Sequence, residues 1–166
     1  MDKDSKQGDK EILDIIKRMN VEYDFSDSIK VKKSNSNGTI IDLSQAPDLG
    51  PAVTVLACLS KGETRIVNAS RLRIKECDRI TSMVTELTKL GANIVEVEDG
   101  MIINGVESLN GGVVNAWNDH RVAMSLAMAS IKCNSELKIL GAQCVSKSYP
   151  HFFEDFKKAG GNCEEA

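Results

Sequence analysis

The sequence predicts a mixed α/β domain built from repeated βαβαββ units, in which sheets cover buried helices. Similar helix-to-strand segments begin at Ile12, Met83 and Phe152, which lie 71 and 69 positions apart. Repetition at this length indicates a domain assembled from similar supersecondary units. Segments 51–59 and 122–131 are apolar on nearly all sides. Helices of this kind must be buried on most faces, which places them inside the sheets.

The middle unit is complete, and its elements follow from local patterns. Alternating β-branched residues predict the strands, and apolar residues at helical spacing predict helix 75–90. Gly91 is expected to end that helix, and Asp99-Gly100 to form a hairpin turn. The predicted elements of this unit are strand 39–44, helix 48–60, strand 63–68, helix 75–90, strand 92–98 and strand 101–105. The flanking elements are a helix from Ile12 that runs into a strand, strand 112–117, helix 122–131 and a last helix from Phe152.

The two end units are incomplete, which affects the expected domain organisation. The first unit begins at its second helix, and the last one stops after its second helix. We therefore expect residues 8–166 to form a single partial domain that belongs to something longer. Residues 1–7 have no counterpart in the repeat, and we expect a leader or a disordered start there.

Composition excludes several classes of protein. The chain has 166 residues, 21 Lys and Arg against 24 Asp and Glu, and a net charge of −3, which disfavours nucleic acid as a partner. It contains no apolar run of the roughly 20 residues that a membrane span needs. Its five cysteines form no CxxC pair or even framework, which predicts reduced thiols in the cytoplasm and no structural metal.

Cations lie at three successive junctions between a strand and a helix. Lys75 and Arg79 are predicted to share a face at the start of helix 75–90, Arg121 to follow an Asn118 cap, and Lys147 to precede the last helix. A helix N-terminus disfavours a cation by roughly 0.3–1 kcal/mol. An anionic ligand would resolve this conflict, since helix N-termini also supply free N–H groups. Pairing with local carboxylates is the alternative for each cation taken singly.

Carboxylates and one histidine accompany these cations. Asp48 follows Pro47 at the start of an apolar helix, so it is either a first-turn acid or a base that removes a proton from a substrate hydroxyl. Glu76 has the same two interpretations, as a first-turn acid or a general acid and base. His120, between Asp119 and Arg121, is either structural or a group that orients an anion or transfers a proton.

Four ordered segments carry a resemblance to a known family. The segment LRIKECDRI at 72–80 resembles the L-R-x-K-E-[ST]-D-R signature of the 5-enolpyruvylshikimate-3-phosphate (EPSP) synthases, or 3-phosphoshikimate 1-carboxyvinyltransferases. The segment NDHRVAM at 118–124 is similar to their N-D-H-R-M-A-M block. Segments 46–48 and 144–150, the latter with Phe153, are similar to two further blocks in the same order.

The resemblance implies a fold and an activity. Family members are more than twice this long, with two domains of three βαβαββ units and an active site between them. The chain is thus expected to be the C-terminal part of such an enzyme, to have an enolpyruvyl-transferase-like fold, and to need the missing N-terminal half for activity. The family transfers the enolpyruvyl group of phosphoenolpyruvate to the 5-hydroxyl of shikimate 3-phosphate and releases phosphate, in the pathway to chorismate and aromatic amino acids, without a cofactor.

The resemblance also assigns roles at the shikimate 3-phosphate end of the site. Asp48 matches the carboxylate that contacts this substrate and is expected to deprotonate its 5-hydroxyl. Lys75 matches another contact to the same substrate. Glu76 matches the expected proton donor to the methylene carbon of phosphoenolpyruvate. Proton transfers at both ends of the addition require groups of this kind.

The remaining matched residues concern phosphoenolpyruvate. Arg79, Arg121 and Lys147 match the cations that hold this substrate, and Asp119 and His120 match supporting residues of the same pocket. Two alternatives stay open. One is the sister enzyme that transfers the same group to UDP-N-acetylglucosamine, which the two signature segments argue against. The other is a non-catalytic module that binds anions and has no use for carboxylates in its cleft.

Overall fold

The computed structural model describes residues 7–164. The predicted leader, residues 1–7, lies outside the described residues except for Gln7. The described range contains these helices and strands: α1 Ile12–Arg18, β1 Tyr23–Phe25, β2 Ile29–Val31, β3 Ile40–Asp42, α2 Gly50–Cys58, β4 Glu63–Val67, α3 Arg79–Lys89, β5 Asn93–Val97, β6 Gly100–Asn104, β7 Gly112–Asn115, α4 His120–Ala129, β8 Leu137–Leu140 and α5 Phe152–Lys158. Short 3-10 helices lie at Gly8–Glu11, Pro47–Leu49, Ser70–Ile74, Ser130–Lys132 and Ala142–Lys147.

The largest sheet has four strands in the order β3-β4-β6-β5. Strands β3 and β4 are parallel, whereas β6 is antiparallel to both β4 and β5. Ile66, Ile94 and Ile103 are buried on one face of this sheet, while Ile40 and Val95 are exposed on the other. This alternation is typical of a sheet that covers a core on one side and meets solvent on the other.

The helices lie beneath the sheet, as the sequence predicts. Helix α2 contacts α3, α4 and strand β6. Its Val53, Ala57 and Cys58 are fully buried, which agrees with a sequence that is apolar all round. Helix α3 is amphipathic and points Met83 and Leu87 into the same core. The predicted mixed α/β fold with buried helices is confirmed.

The C-terminal unit forms a second, smaller core that positions one of the predicted cations. Strands β7 and β8 pair in parallel, and the 3-10 helix Ala142–Lys147 packs against α4. Ala116, Ala123, Cys144 and Val145 are all buried in this cluster. The strand predicted to follow the helix from Ile12 is β1, whereas its partner β2 and strand β8 were not predicted. In residues 7–164, we find no helix that is both long and apolar enough to span a membrane.

Most predicted boundaries lie within two residues of the observed ones, for example α4 at His120–Ala129 instead of 122–131. Two of the differences affect the site and the sheet. Helix α3 begins at Arg79 and not at residue 75, because the Asp78 side chain accepts hydrogen bonds from the backbone N–H groups of Ile80 and Thr81 and starts the helix there. Lys75 therefore precedes the helix in an extended conformation and does not share a helical face with Arg79. The β5–β6 turn lies one residue earlier than predicted, since Val97 pairs with Gly100.

Candidate functional site

Arg79 is the centre of the site, because its buried guanidinium is surrounded by three carboxylates. The side chain is only 1% exposed. Its Nε donates to Oδ2 of Asp119 at 2.7 Å, its Nη1 to Oδ1 of Asp48 at 2.9 Å, and its Nη2 to Oε2 of Glu76 at 2.7 Å. A further bond of 3.3 Å joins Nη2 to Oδ1 of Asp119. The planar fork of an arginine suits this kind of multiple recognition.

Asp48 also contacts the other two cations of the site, Lys75 and Arg121. It lies in the 3-10 helix Pro47–Leu49, which precedes α2. Its Oδ1 is 3.0 Å from Nζ of Lys75, and its Oδ2 is 3.3 Å from Nη2 of Arg121. Burial opposes ionisation of Asp48, but the hydrogen bond from Lys75 and the charge of Arg121 outweigh it, so the pKa of this carboxyl is lowered. Asp48 is thus ionised at neutral pH.

Asp119 joins the site to the start of helix α4. It is fully buried, and its Oδ1 accepts hydrogen bonds from the backbone N–H of Arg121 at 2.8 Å and of Val122 at 3.4 Å. Burial opposes its ionisation, but the Arg79 guanidinium outweighs this effect and lowers the pKa. The predicted Asn118 cap is wrong. Asp119 is the N-cap, because Asn118 adopts a left-handed backbone conformation with a φ of 55°.

Glu76 and His120 face each other beside Arg79. The two side chains approach to 3.9 Å between Oε1 of Glu76 and Nδ1 of His120, which is too long for a hydrogen bond. Nδ1 of His120 is buried and has no hydrogen-bond partner within residues 7–164. Glu76 precedes α3, so its prediction as a first-turn acid is wrong, although it does lie in the cluster as a candidate acid and base.

Lys147 lies next to the cluster and is linked to it through Asn118. Its exposed ammonium donates to the backbone O of Asn118 at 2.8 Å and to the Oδ1 of the same residue at 3.1 Å. Asn118 directly precedes Asp119, so these contacts hold Lys147 beside the start of α4. The structure thus brings the predicted site residues to one end of the domain, with Lys147 attached through a neighbour.

The charges of this cluster balance. Three carboxylates, those of Asp48, Glu76 and Asp119, meet three cations, those of Lys75, Arg79 and Arg121. The sequence left two interpretations of the cations open, convergence at one site or pairing with carboxylates. The structure shows both, since these three cations converge and each also pairs with a carboxylate. A groove of about 360 Å³ runs from this cluster between α2 and α4, with an apolar lining that includes Val55 and Met124.

Two residues that support the site, Arg73 and Glu86, are not among those predicted from the sequence. Arg73 donates from Nη1 to Asp78 at 2.9 Å and to Glu96 at 2.8 Å, which anchors the segment that carries Lys75. Glu86, on α3, accepts a hydrogen bond of 2.8 Å from Nε1 of Trp117. A signal for Glu86 existed, since it lies three residues after Met83, on the apolar face of the helix. Across the described part of the chain, no group of three or more His, Cys, Asp and Glu side chains is arranged to hold a metal ion.

Comparison with known proteins gives consistent matches. A sequence model of the family EPSP synthase (3-phosphoshikimate 1-carboxyvinyltransferase) matches residues 1–156. The 3-phosphoshikimate 1-carboxyvinyltransferase of Clostridium acetobutylicum is 55% identical over 161 residues, which are 97% of this chain and 37% of that protein. The enzyme of the same name from Clostridium novyi is 53% identical over 166 residues, which are 99% of this chain and 38% of that protein.

A solved structure agrees with the sequence matches. An EPSP synthase from Acinetobacter baumannii superposes with a TM-score of 0.83 and 30% identity, and the match covers 92% of this chain and 39% of that one. The chain thus spans about two fifths of the length of the curated relatives it matches. The family match extends over nearly the whole chain and includes the segments that build the cluster around Arg79. The chain belongs to the EPSP synthase family.

Proposed function

We propose that this chain carries one side of the active site of an enzyme that transfers the enolpyruvyl group of phosphoenolpyruvate to the 5-hydroxyl of shikimate 3-phosphate and releases phosphate. The observation that supports it is the cluster around Asp48, in which Lys75, Arg79 and Arg121 converge from two segments distant in sequence. A cleft for two anionic substrates requires such a concentration of cations. The rest of the cleft would come from sequence that the relatives have beyond the matched two fifths.

In this proposal, Asp48 and Lys75 contact shikimate 3-phosphate. Asp48 is now paired with cations, which makes it a weak base. When Lys75 and Arg121 turn toward substrate anions, Asp48 loses two of its counter-charges and its proton affinity rises. Binding would thus prepare Asp48 to take the proton of the 5-hydroxyl as that oxygen attacks the C2 carbon of phosphoenolpyruvate.

Phosphoenolpyruvate would lie beside Arg79 and the start of α4. Arg79, Arg121 and Lys147 are its proposed ligands, with His120 and Asp119 as supporting groups. Glu76 is the proposed donor of a proton to the methylene carbon, which becomes the methyl group of the tetrahedral adduct. Loss of phosphate and of one methyl proton then restores the enol double bond. Because the cysteines are free thiols, as a reducing compartment requires, we extend the proposal to a cytoplasmic enzyme.

Calorimetric titration of the chain with shikimate 3-phosphate, and then with phosphoenolpyruvate, tests the proposal. We expect salt-sensitive binding that Lys75→Ala weakens for the first ligand and Arg121→Ala for the second. Arg65→Ala is a matched control, because Arg65 forms an exposed ion pair with Glu63 away from the cluster. Equal affinities in all variants would refute the assignment.

A second comparison separates an enzyme from a module that only binds anions. Asp48→Asn removes a negative charge from the cluster, so a simple anion-binding module should bind phosphate equally well or better. For the proposed enzyme, we expect the same substitution to weaken binding of shikimate 3-phosphate, because the contact to its hydroxyl is altered. We also expect no turnover from the 166-residue chain alone in an assay of phosphate release. Turnover by the pure chain would contradict the need for a second side of the cleft.

A further inference from the structure

Helix α3 carries a buried carboxylate that the proposed chemistry does not use. Glu86 is only 1% exposed, and each of its two oxygens accepts a hydrogen bond from segment 115–118, where β7 ends and a turn follows. Oε2 accepts from the backbone N–H of Asn115 at 3.0 Å, and Oε1 accepts from Nε1 of Trp117 at 2.8 Å. Nζ of Lys89 adds a third bond to Oε2 at 2.7 Å. Burial opposes ionisation of Glu86, but these bonds outweigh it and lower the pKa.

The turn that Glu86 holds has a conformation that needs support. Trp117 and Asn118 are consecutive left-handed residues with φ values of 53° and 55°. Asparagine tolerates this region, whereas a bulky tryptophan rarely adopts it. Such a conformation persists only where the surrounding structure enforces it. Besides Glu86, the Oδ1 of Asn115 supports the turn by accepting a hydrogen bond of 2.6 Å from the backbone N–H of Trp117.

This conformation matters because it fixes the position of Asn118. The left-handed Asn118 presents both its backbone O and its Oδ1 to Nζ of Lys147, at 2.8 and 3.1 Å. Asp119, which follows, caps α4 and binds Arg79. We propose that Glu86 is a positioning residue that holds the turn Asn115–Asn118 and thereby fixes the Lys147 ammonium at the site. The role of Lys147 toward phosphoenolpyruvate rests on the proposed function, whereas the link from Glu86 to Lys147 does not.

Glu86→Gln tests this link because an amide cannot replace the carboxylate here. The two oxygens of Glu86 each face an N–H donor, while glutamine offers one oxygen and one NH₂ group, so one of the two bonds to the turn must be lost. Lys89→Met is the matched control. It removes the exposed cation that pairs with Glu86 and leaves both bonds to the turn in place.

Two readouts follow the turn without any ligand. Trp117 is the only tryptophan of the chain, so its fluorescence reports the turn directly. In Glu86→Gln we expect emission at longer wavelength and stronger quenching by acrylamide. The second readout is acetylation of Lys147 by acetic anhydride, measured by peptide mass spectrometry relative to exposed Lys132. We expect it to rise about threefold to tenfold, because a displaced turn weakens the charge-assisted hydrogen bonds from Lys147 to Asn118. Lys89→Met should match the unmodified chain in both readouts.

The outcomes separate the two proposals. Unchanged fluorescence and unchanged Lys147 acetylation in Glu86→Gln would overturn the positioning role, as would the same changes in Lys89→Met. If Glu86→Gln does not fold, Trp117→Phe removes the indole donor and leaves an aromatic ring in its place. Unchanged acetylation of Lys147 in that variant would overturn the inference. Titration with phosphoenolpyruvate is the separate arm. Weaker binding in Glu86→Gln alone supports both proposals, whereas no binding by the unmodified chain counts against the proposed function and leaves the acetylation result to decide the positioning role.

Discussion

The pair formed by Arg79 and Asp119 offers the sharpest test of how this site is held together. Both side chains are buried, with exposed fractions of 1% and 0%. Asp119→Asn changes one oxygen into an NH₂ group of nearly the same size, so no cavity is created. Asparagine is also a good N-cap, which allows its remaining oxygen to continue to accept from the backbone N–H groups of Arg121 and Val122. The substitution therefore removes the charge and keeps the shape.

The expected loss of stability follows from what Arg79 retains. Breaking a buried ion pair by removing one partner costs about 3–5 kcal/mol. Arg79 keeps its bonds to Asp48 and Glu76, so we expect the lower end, about 3 kcal/mol. Asp119→Ala should cost about 1 kcal/mol more, because it also removes the helix cap. In a domain of this size, a loss of about 3 kcal/mol lowers the melting temperature by roughly 6–12 °C.

Urea unfolding followed by far-ultraviolet circular dichroism measures both variants, and avoids the fluorescence of Trp117, which lies close to the substitution. Glu22→Gln is the control, since Glu22 forms an exposed ion pair with Lys32, and such pairs contribute at most about 1 kcal/mol. A loss below about 1 kcal/mol in Asp119→Asn would refute the reasoning. It would mean that the bonds from Asp48 and Glu76 already satisfy the guanidinium.

Three further predictions concern the rest of the domain. Because Asp119 has a lowered pKa in the folded chain, its stabilising effect is complete above the ordinary value of 3.8 and is lost as the pH falls through the lower folded value. The urea midpoint should therefore fall at acidic pH, and less so in Asp119→Asn. Burial raises the pKa of the thiols of Cys58 and Cys77 to about 12 and about 11, so iodoacetamide at pH 8 should leave both unmodified in the folded chain, and rapid labelling seen by mass spectrometry would contradict this. In Gly100→Ala the added methyl group would collide with the backbone O of Ile66. We expect a loss of about 1–3 kcal/mol, and an unchanged melting temperature would argue against so close an approach of β6 to β4.

Much of the fold can be predicted from the sequence, because its clearest patterns extend over whole helices and strands. The run that forms α2 is apolar on every side, and only a buried helix accommodates such a pattern. The start of α3 was harder to predict. Asp78 is acceptable both within a first helical turn and as an N-cap, and only the fold selects the cap. Strands such as β8, with four residues, are too short to show a clear alternation.

The site, too, could be predicted from the sequence only in part. The predicted clustering of cations followed from their positions at successive junctions, since repeated units bring equivalent junctions together. The partners of Arg79 did not follow, because Asp48 and Asp119 lie 31 and 40 residues away along the chain. Pairing over such distances depends on how α2, α3 and α4 pack. The helix dipole is a property of each helix by itself, so it gives no information on this packing.

The distribution of exposure among the three carboxylates suggests how the cluster would respond to a substrate. Asp119 is fully buried and serves as the cap of α4, so its bond to Arg79 is part of the fold. Asp48 and Glu76, with side chains 36% and 39% exposed, can rotate toward solvent. A bound anion would therefore replace these two as partners of the cations and leave the Arg79–Asp119 pair intact. Asp48, whose pKa these cations lower, would then lose its cationic partners and become a stronger base. Under the proposed function, binding of the anion would thus also prepare Asp48 to accept a proton.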